Sequence, residues 1–389
     1  MEFGLNEDQR LLKETAREFL KIECPRSHVR AMMNDPRGYA PELWKKMADL
    51  GWMGLAIPQP YGGEGLDLLS LMALIDEMGR ALLPGPFVTN VVGGALTVSA
   101  AGSEAQKKAL LPKVAKGELI MALAVGSDNG RLDAGGIGVK ATLQGAGYAL
   151  NGSVRMVPDL QVADLFLCAA RTSGGQDSED GITMFVVDPR TPGVKVTPLK
   201  ETDGRKVANL ELSGVRVGQG EVVGEANKGW PIVAAANRRL TVALCAEALG
   251  GAGAAMELSV EYAKTRVAFG RPIGTFQAIK HKCANMLVDV ESARSLVYYA
   301  AWALDPGAPD AEYAVSAAKA WCSDAYARVT ADGIQVHGGI GMTWEHDMHL
   351  FFKRAKVIEA TLGDADYHRE LVARALGREA DARLAAKRV

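Results

Sequence analysis

The chain has few cysteines, and their placement excludes two kinds of site. Only five occur among 389 residues, their number is odd, and no two have the C-x-x-C spacing of a zinc or redox pair. A disulfide framework and a structural zinc site are therefore not expected, and a reduced, cytoplasmic location fits best. The five are Cys24, Cys168, Cys245, Cys283 and Cys322.

The chain also lacks an excess of charge of either sign and lacks long apolar runs. Its 44 basic and 46 acidic residues are mixed along the sequence, for a formal charge of -2. No basic field is available for nucleic acid or an anionic membrane surface. No apolar run approaches the roughly 18 to 20 residues that span a bilayer, and the N-terminus is not signal-like. We expect no nucleic-acid or membrane partner, and the six histidines form no cluster that predicts a metal site.

Length and hydrophobic periodicity divide the chain into three predicted domains. With 48% hydrophobic content, 389 residues can bury large cores. Apolar residues recur at helical period early and late in the chain, for example over 41–50, 68–81, 104–116, 246–265 and 314–334. Between these regions, short alternating runs joined by Gly, Asp and Asn predict strands, for example over 137–142, 165–168, 184–187 and 194–196.

These patterns predict an α+β multidomain fold. An all-α domain is expected over 1–118, a central β-barrel or sandwich over 119–225, and a C-terminal helix bundle over 226–389. At the start of the first helix, Asn6 and Gln9 have the spacing of a capping box, in which each side chain bonds the other's backbone amide.

One stretch in the C-terminal part, Arg266 to Gln277, reads R-V-A-F-G-R-P-I-G-T-F-Q. A helical pattern ends here, because Gly270 frees the backbone to turn and Pro272 has no amide with which to continue a helix. An exposed guanidinium is thereby left beside the ring of Phe269. Taken by itself, the pattern also fits a corner between two helices with a solvated arginine.

A second stretch, Gln335 to Gly341, reads Q-V-H-G-G-I-G. Its glycines let a ligand approach backbone amides closely, and an arginine can hold a diphosphate through two hydrogen bonds. Together, the patterns R-x-x-F-G, F-Q and Q-x-H-G-G-x-G, in this order and spacing, resemble the acyl-CoA dehydrogenase family. The resemblance covers nearly the whole chain.

The resemblance implies a cofactor, a reaction and an assembly. In the family, FAD takes hydride from Cβ of an acyl-CoA while a glutamate removes the Cα proton, leaving a trans-2-enoyl-CoA, as in fatty acid β-oxidation. Electron-transfer flavoprotein or oxygen would accept the electrons. The FAD of a neighbouring subunit in a homo-oligomer or hetero-oligomer would be held at its adenine and diphosphate end by Arg266, Phe269, Gln277, Gln335, Gly338 and Gly339.

The base that this reaction needs is missing from its usual place. Alignment of Arg354-Ala355-Lys356 with the family's D-A-K puts Leu362 at the position of the glutamate. A leucine keeps the backbone amide that helps to bind the thioester oxygen, but it cannot take a proton. The best remaining candidate is Glu247, since a carboxylate within an apolar run needs a partner or a purpose. Its alternative role is an ion pair with an arginine of a neighbouring helix.

Positions near the flavin ring also depart from the family. Ser127, in the run G-S-D, is assigned to cofactor binding, but the residues before it lack the family's threonine. Met156 and Pro158 stand where the family has the tryptophan and the hydroxyl of W-I-T. The run Gly363 to His368 is similar to one in small subunits of bacterial members that act as unlike pairs. The chain is thus expected to be an FAD-dependent acyl-CoA dehydrogenase, or alternatively a catalytically silent subunit that completes a homologous partner's FAD site.

Overall fold

The computed structural model describes residues 4–126, 129–305 and 307–386, with side chains described as far as residue 377. The helices before the sheet are α1 (Glu7–Glu23), α2 (Arg26–Asn34), α3 (Pro41–Asp49), α4 (Leu68–Ala81), α5 (Leu96–Ala101) and α6 (Glu104–Ala115). The strands that follow are β1 (Met121–Ala124), β2 (Lys140–Gln144), β3 (Gly147–Pro158), β4 (Leu165–Arg171), β5 (Ile182–Val187), β6 (Val194–Lys200), β7 (Lys206–Gly218) and β8 (Val222–Val223). The rest comprises α7 (Trp230–Thr265), a hairpin of β9 (Val267–Ala268) and β10 (Arg271–Pro272), α8 (Gln277–Leu304), α9 (Ala311–His337), α10 (Met348–Ala360) and α11 (Ala365–Ala386).

Helices, strands and helices follow one another as the sequence predicts, which confirms the fold class. The three domain boundaries remain a prediction, because the chain packs as two compact units. The bundle unit comprises Met1–Ser27, Leu68–Leu83 and Thr241–Val389. The sheet unit comprises His28–Asp67 and Pro84–Leu240.

The sheet unit is organised by eight strands in the order β6-β7-β3-β2-β4-β5-β8, with β1 paired to β4. Strands β2 and β4 lie between β3 and β5 in this order, yet Tyr148 of β3 packs edge-on against Phe185 of β5, with ring centroids 5.1 Å apart. The sheet therefore curls on itself. One face, including Phe166, is buried within this curl. Successive side chains of a strand point to opposite faces, so Leu167, the residue after Phe166 in β4, lies on the other face. That face packs against α5, α6 and the first turns of α7.

The bundle unit contains α1, α4, most of α7 and the helices from α8 to α11. Helices α4 and α7 cross with their backbones in contact: a Cβ on Gly79 would lie 2.1 Å from the carbonyl oxygen of Glu247. A Cβ on Gly250 would lie 1.7 Å from the carbonyl oxygen of Asp76. Among the described helices, α7 alone is long and apolar enough to cross a membrane, and 83% of its apolar 18-residue window is buried inside the protein.

Candidate functional site

A tight hairpin follows the end of α7 and displays Arg266 and Phe269. Both central residues of its turn, Phe269 (φ 53°) and Gly270 (φ 77°), have the positive φ that a two-residue hairpin turn requires. The amide of Ile273 donates to the carbonyl of Arg266 at 2.8 Å and closes the hairpin. Phe269 is 95% exposed, and Arg266 is exposed beside it. A phenylalanine so exposed is a surface available for stacking.

The glycine-rich stretch lies at the end of α9, where Gly338 adopts φ 65°. An added Cβ on Gly338 or Gly339 would meet no heavy atom within 4 Å, so the space above both glycines is open. His337 is buried, and its Nδ1 donates to the carbonyl oxygen of Gly333 at 2.7 Å. Burial lowers the pKa of His337, which favours the neutral ring.

The structure brings these two stretches together. The ring of Tyr262, in the last turn of α7, lies 4.5 Å from that of His337, measured between centroids. Arg266 and Gly338 therefore belong to one end of the bundle unit. Gln277 is the first residue of α8, and both Gln277 and Gln335 are exposed. We call this set, Arg266, Phe269, Gln277, Gln335, Gly338 and Gly339, the adenosine cluster.

The adenosine cluster has the chemistry that the adenine and diphosphate end of FAD requires. A guanidinium can bind a diphosphate, an exposed aromatic ring can stack on a base, and uncrowded glycines admit a ligand to the backbone. These residues fit the cofactor that the family implies.

The flavin-ring positions fit less completely. Ser127 lies outside the described residues. Met156 is 56% exposed, has φ 53°, and donates its amide to Oδ1 of Asn209 at 3.1 Å. Pro158 pairs with Val207 at the end of β3. Met156 and Pro158 offer apolar contact, but neither has a side-chain hydrogen-bond donor for a flavin nitrogen.

Glu247 is buried in the bundle unit, with 7% of its surface exposed, and forms an ion pair with Arg354 of α10. Arg354 is itself only 4% exposed. This is the arrangement expected from the alternative interpretation of Glu247, and it leaves the role of general base untested. Arg354 occupies the first position of the family's D-A-K, so the partner of Glu247 is supplied by a departure from the family pattern.

Leu362 lies in the short connection between α10 and α11, and its backbone is left-handed, with φ 57°. Its carbonyl oxygen accepts a hydrogen bond from Nε2 of the buried His368 at 2.9 Å. Sequence reasoning missed the second group that holds this connection, Lys319 of α9, which is fully buried. The available signal was a lone lysine in the apolar run Ala314 to Ala320.

Comparison with known proteins agrees with this architecture along the chain. Models of the acyl-CoA dehydrogenase N-terminal, middle and C-terminal domains match residues 6–118, 122–215 and 227–377. "Probable acyl-CoA dehydrogenase YngJ" of Bacillus subtilis (strain 168) is 32% identical over 384 residues, which covers 97% of this chain and 100% of the relative.

Two solved structures are also similar to the chain. Butyryl-CoA dehydrogenase from Megasphaera elsdenii is 28% identical with a TM-score of 0.89, and the match covers 97% of this chain and 100% of that one. A chain of the ChsE4–ChsE5 complex from Mycobacterium tuberculosis is 30% identical with a TM-score of 0.88, covering 97% and 99%. The chain therefore belongs to the acyl-CoA dehydrogenase family of oxidoreductases, which act on CH–CH bonds.

Proposed function

We propose that the protein is an FAD-dependent acyl-CoA dehydrogenase that converts an acyl-CoA thioester to a trans-2-enoyl-CoA. The observation that carries this proposal is the adenosine cluster, in which Arg266, the exposed ring of Phe269 and the open glycines lie at one end of the bundle unit. When bound, FAD supplies the acceptor for the hydride from Cβ. The chain's own residues must hold the cofactor, bind the thioester oxygen and remove the Cα proton.

The backbone at Leu362 is the proposed donor to the thioester oxygen. Negative charge develops on this oxygen as the Cα proton leaves, so a fixed amide donor lowers the barrier. A base is needed as well, and a positioned base contributes about 10² to 10⁴ in rate. Glu247 is the carboxylate that we propose to test for this role when the chain works alone.

A second function is favoured by the ion pair between Glu247 and Arg354. In this pair the carboxylate of Glu247 is held by the buried guanidinium of Arg354 and is engaged in a structural contact. With Leu362 at the usual glutamate position, the chain would then be a supporting subunit that completes the FAD site of a homologous partner. The similar solved structure from Mycobacterium tuberculosis is itself a complex of two proteins, ChsE4 and ChsE5.

Assembly is part of both proposals. Exposed apolar side chains lie in the two stretches of the adenosine cluster or within three residues after the second: Val267, Phe269, Ile340, Met342 and Trp344. Contact with another subunit would remove this apolar surface from water. We propose a homo-oligomer or a hetero-oligomer of homologous chains, located in the cytoplasm, with electron-transfer flavoprotein as the electron acceptor.

The test is anaerobic reduction of bound flavin by butyryl-CoA and octanoyl-CoA, compared among wild type, Glu247→Gln and Arg354→Gln. Both substitutions break the same ion pair and leave a similar amide. If Glu247 is the base, flavin reduction falls by about 10² or more in Glu247→Gln with FAD still bound, and Arg354→Gln retains it.

Equal losses in the two variants would show that the ion pair is structural. If bound flavin is reduced by the acyl-CoA only when a homologous chain carrying the usual glutamate is co-expressed, this chain is a supporting subunit. A chain that binds no FAD and completes no partner's FAD site would contradict both functions.

A further inference from the structure

The connection between α10 and α11 is held by its carbonyl oxygens. Nζ of Lys319 lies 2.9 Å from the carbonyl oxygen of Ile358, 3.1 Å from that of Glu359 and 2.8 Å from that of Gly363. The first two belong to the last turn of α10, where a cation is favoured by the helix dipole; the carbonyl oxygen of Ile358 also accepts from the amide of Thr361 at 3.2 Å. The third lies beyond the helix, so one ammonium group ties the connection to the helix end.

The hydrogen bonds of Lys319 are directed mainly to this connection and the end of α10. Its Nζ also lies 2.9 Å from Oγ of Ser323, one turn further along α9. In the described part of the chain, its ammonium makes no ion pair with a carboxylate. A fully buried cation is costly unless its protons are used, and here they are directed mainly to backbone oxygens of α10 and the connection.

His368 holds the intervening carbonyl. Its Nε2 lies 2.9 Å from the carbonyl oxygen of Leu362, and because a carbonyl can only accept, Nε2 carries the proton. Its Nδ1 is buried with no hydrogen-bond partner among the described residues, so the bond to Leu362 accounts for the polar contacts of this ring. Lys319 and His368 thus engage the carbonyl oxygens of two successive residues, Leu362 and Gly363.

The backbone that results is one that leucine rarely adopts. Leu362 has φ 57° and Gly363 has φ 96°, and a Cβ on Gly363 would lie 2.4 Å from the ring of Tyr367. Left-handed backbone is unfavourable for residues with a side chain and persists when surrounding contacts impose it. With their carbonyls engaged, the amides of Leu362 and Gly363 donate to no acceptor among the described residues.

We propose that Lys319 and His368 are positioning residues, which impose the left-handed turn at Leu362 and keep its amide available to an acyl thioester oxygen. Their effect is exerted through the backbone of the connection, and neither touches the substrate in this proposal. The identity of the ligand rests on the proposed function, whereas the imposed backbone conformation does not.

The ligand test compares two CoA derivatives that differ only at the thioester carbonyl group. Butyryl-CoA has a carbonyl oxygen, and S-butyl-CoA, its thioether, has none. We expect the FAD-loaded wild type to prefer the thioester by roughly two- to tenfold in Kd, as one neutral hydrogen bond contributes. Lys319→Met, which keeps an unbranched side chain of similar length but removes its donors, should bring this ratio close to one. A variant that is only less stable would weaken the binding of both compounds and keep the ratio.

The conformational test needs no ligand. Thermal unfolding is measured for wild type, Lys319→Met, Leu362→Gly and the double variant. Glycine adopts positive φ without a steric penalty, so Lys319→Met should lower the melting temperature in the Leu362→Gly background by less than about half of its effect in wild type. The control is Lys356→Met on α10, where an exposed lysine pairs with Glu359, and it should behave alike in both backgrounds.

The outcomes distinguish the effect of Lys319 on the backbone turn from the role of that turn in binding a thioester oxygen. Equal shifts by Lys319→Met in both backgrounds would overturn the positioning role. An unchanged thioester preference in Lys319→Met would overturn its connection to the thioester oxygen. If wild type binds neither CoA compound, the proposed function fails, and the unfolding measurements still decide whether Lys319 imposes the turn.

Discussion

At the scale of single residues, burial governs the reactivity of the five thiols. Cys24, Cys168, Cys245 and Cys322 are buried, whereas Cys283 of α8 is half-buried. Burial raises the pKa of Cys24 and of Cys168 to about 12. Contact with the Cys245 thiol, together with burial, raises the pKa of Cys322. Since the thiolate is the reactive form, Cys24, Cys168 and Cys322 stay protonated and inert near neutral pH.

A thiol titration of the folded protein at pH 8 tests this difference. We expect a disulfide reagent such as dithionitrobenzoate to modify Cys283 alone, and slowly, because burial also raises the pKa of that thiol. In guanidinium chloride all five should react. Cys283→Ser should abolish the reaction of the folded protein. Rapid modification of two or more thiols in the folded wild type would contradict the burial of Cys24, Cys168, Cys245 and Cys322.

The role of Glu247 could not be decided from the sequence alone. Its apolar neighbours along the chain predicted that the carboxylate would be buried, and it is 7% exposed. The partner lies 107 residues away, at Arg354, and no local pattern selects it from the other arginines. An ion pair is a property of packing, so the sequence offered both roles without choosing between them.

At the scale of elements, the crossing of α4 and α7 depends on two glycines. Gly250→Ala would place a methyl carbon 1.7 Å from the carbonyl oxygen of Asp76, which the backbone of α4 cannot accommodate without moving. Overpacking typically costs about 1 to 3 kcal/mol, and a clash with backbone lies at the upper end. We expect a clear fall in the melting temperature.

The matched control is Gly253→Ala, three residues along the same helix. A Cβ there would lie 3.1 Å from Nη1 of Arg80, the far end of a flexible side chain. Alanine favours a helix interior over glycine by roughly 1 kcal/mol, so this variant should be neutral or slightly stabilised. Equal destabilisation by both substitutions would argue against a close crossing.

Several elements were predictable because their determinants are local. The helical patterns over 41–50, 68–81 and 104–116 correspond closely to α3, α4 and α6. The predicted capping box is present: the amide of Gln9 donates to Oδ1 of Asn6 at 2.8 Å, and the amide of Asn6 donates to Oε1 of Gln9 at 3.0 Å. By contrast, the 13-residue strand β7 was not predicted individually, although it pairs with both β3 and β6.

At the scale of the whole molecule, our proposal for the adenosine cluster predicts that retention of FAD depends on assembly of subunits. Arg266→Ala would remove the proposed charge-assisted contact to a diphosphate, which is worth about 1.5 to 3 kcal/mol, or roughly a 10- to 150-fold rise in the Kd for FAD. We expect less FAD per subunit after gel filtration, with the oligomer size unchanged. The free and bound flavin are measured by absorbance.

Arg374→Ala is the control for this variant. It removes an exposed arginine of α11 that pairs with Glu370, outside the adenosine cluster. Its FAD content should equal that of wild type. Wild-type flavin content in Arg266→Ala would argue against the proposed diphosphate contact.

The sequence by itself determined the order of helical and strand-forming regions, the motifs of the adenosine cluster and the absence of a glutamate at position 362, because periodicity and short-range spacing are properties of the chain. Only the tertiary structure decided that Tyr262 and His337 bring the two motifs together, that Arg354 pairs with Glu247, and that Lys319 donates to the carbonyl oxygen of Gly363. These contacts join residues 44 or more positions apart. They form because a charge or polar group that packing removes from water needs a partner among the groups that the fold places beside it.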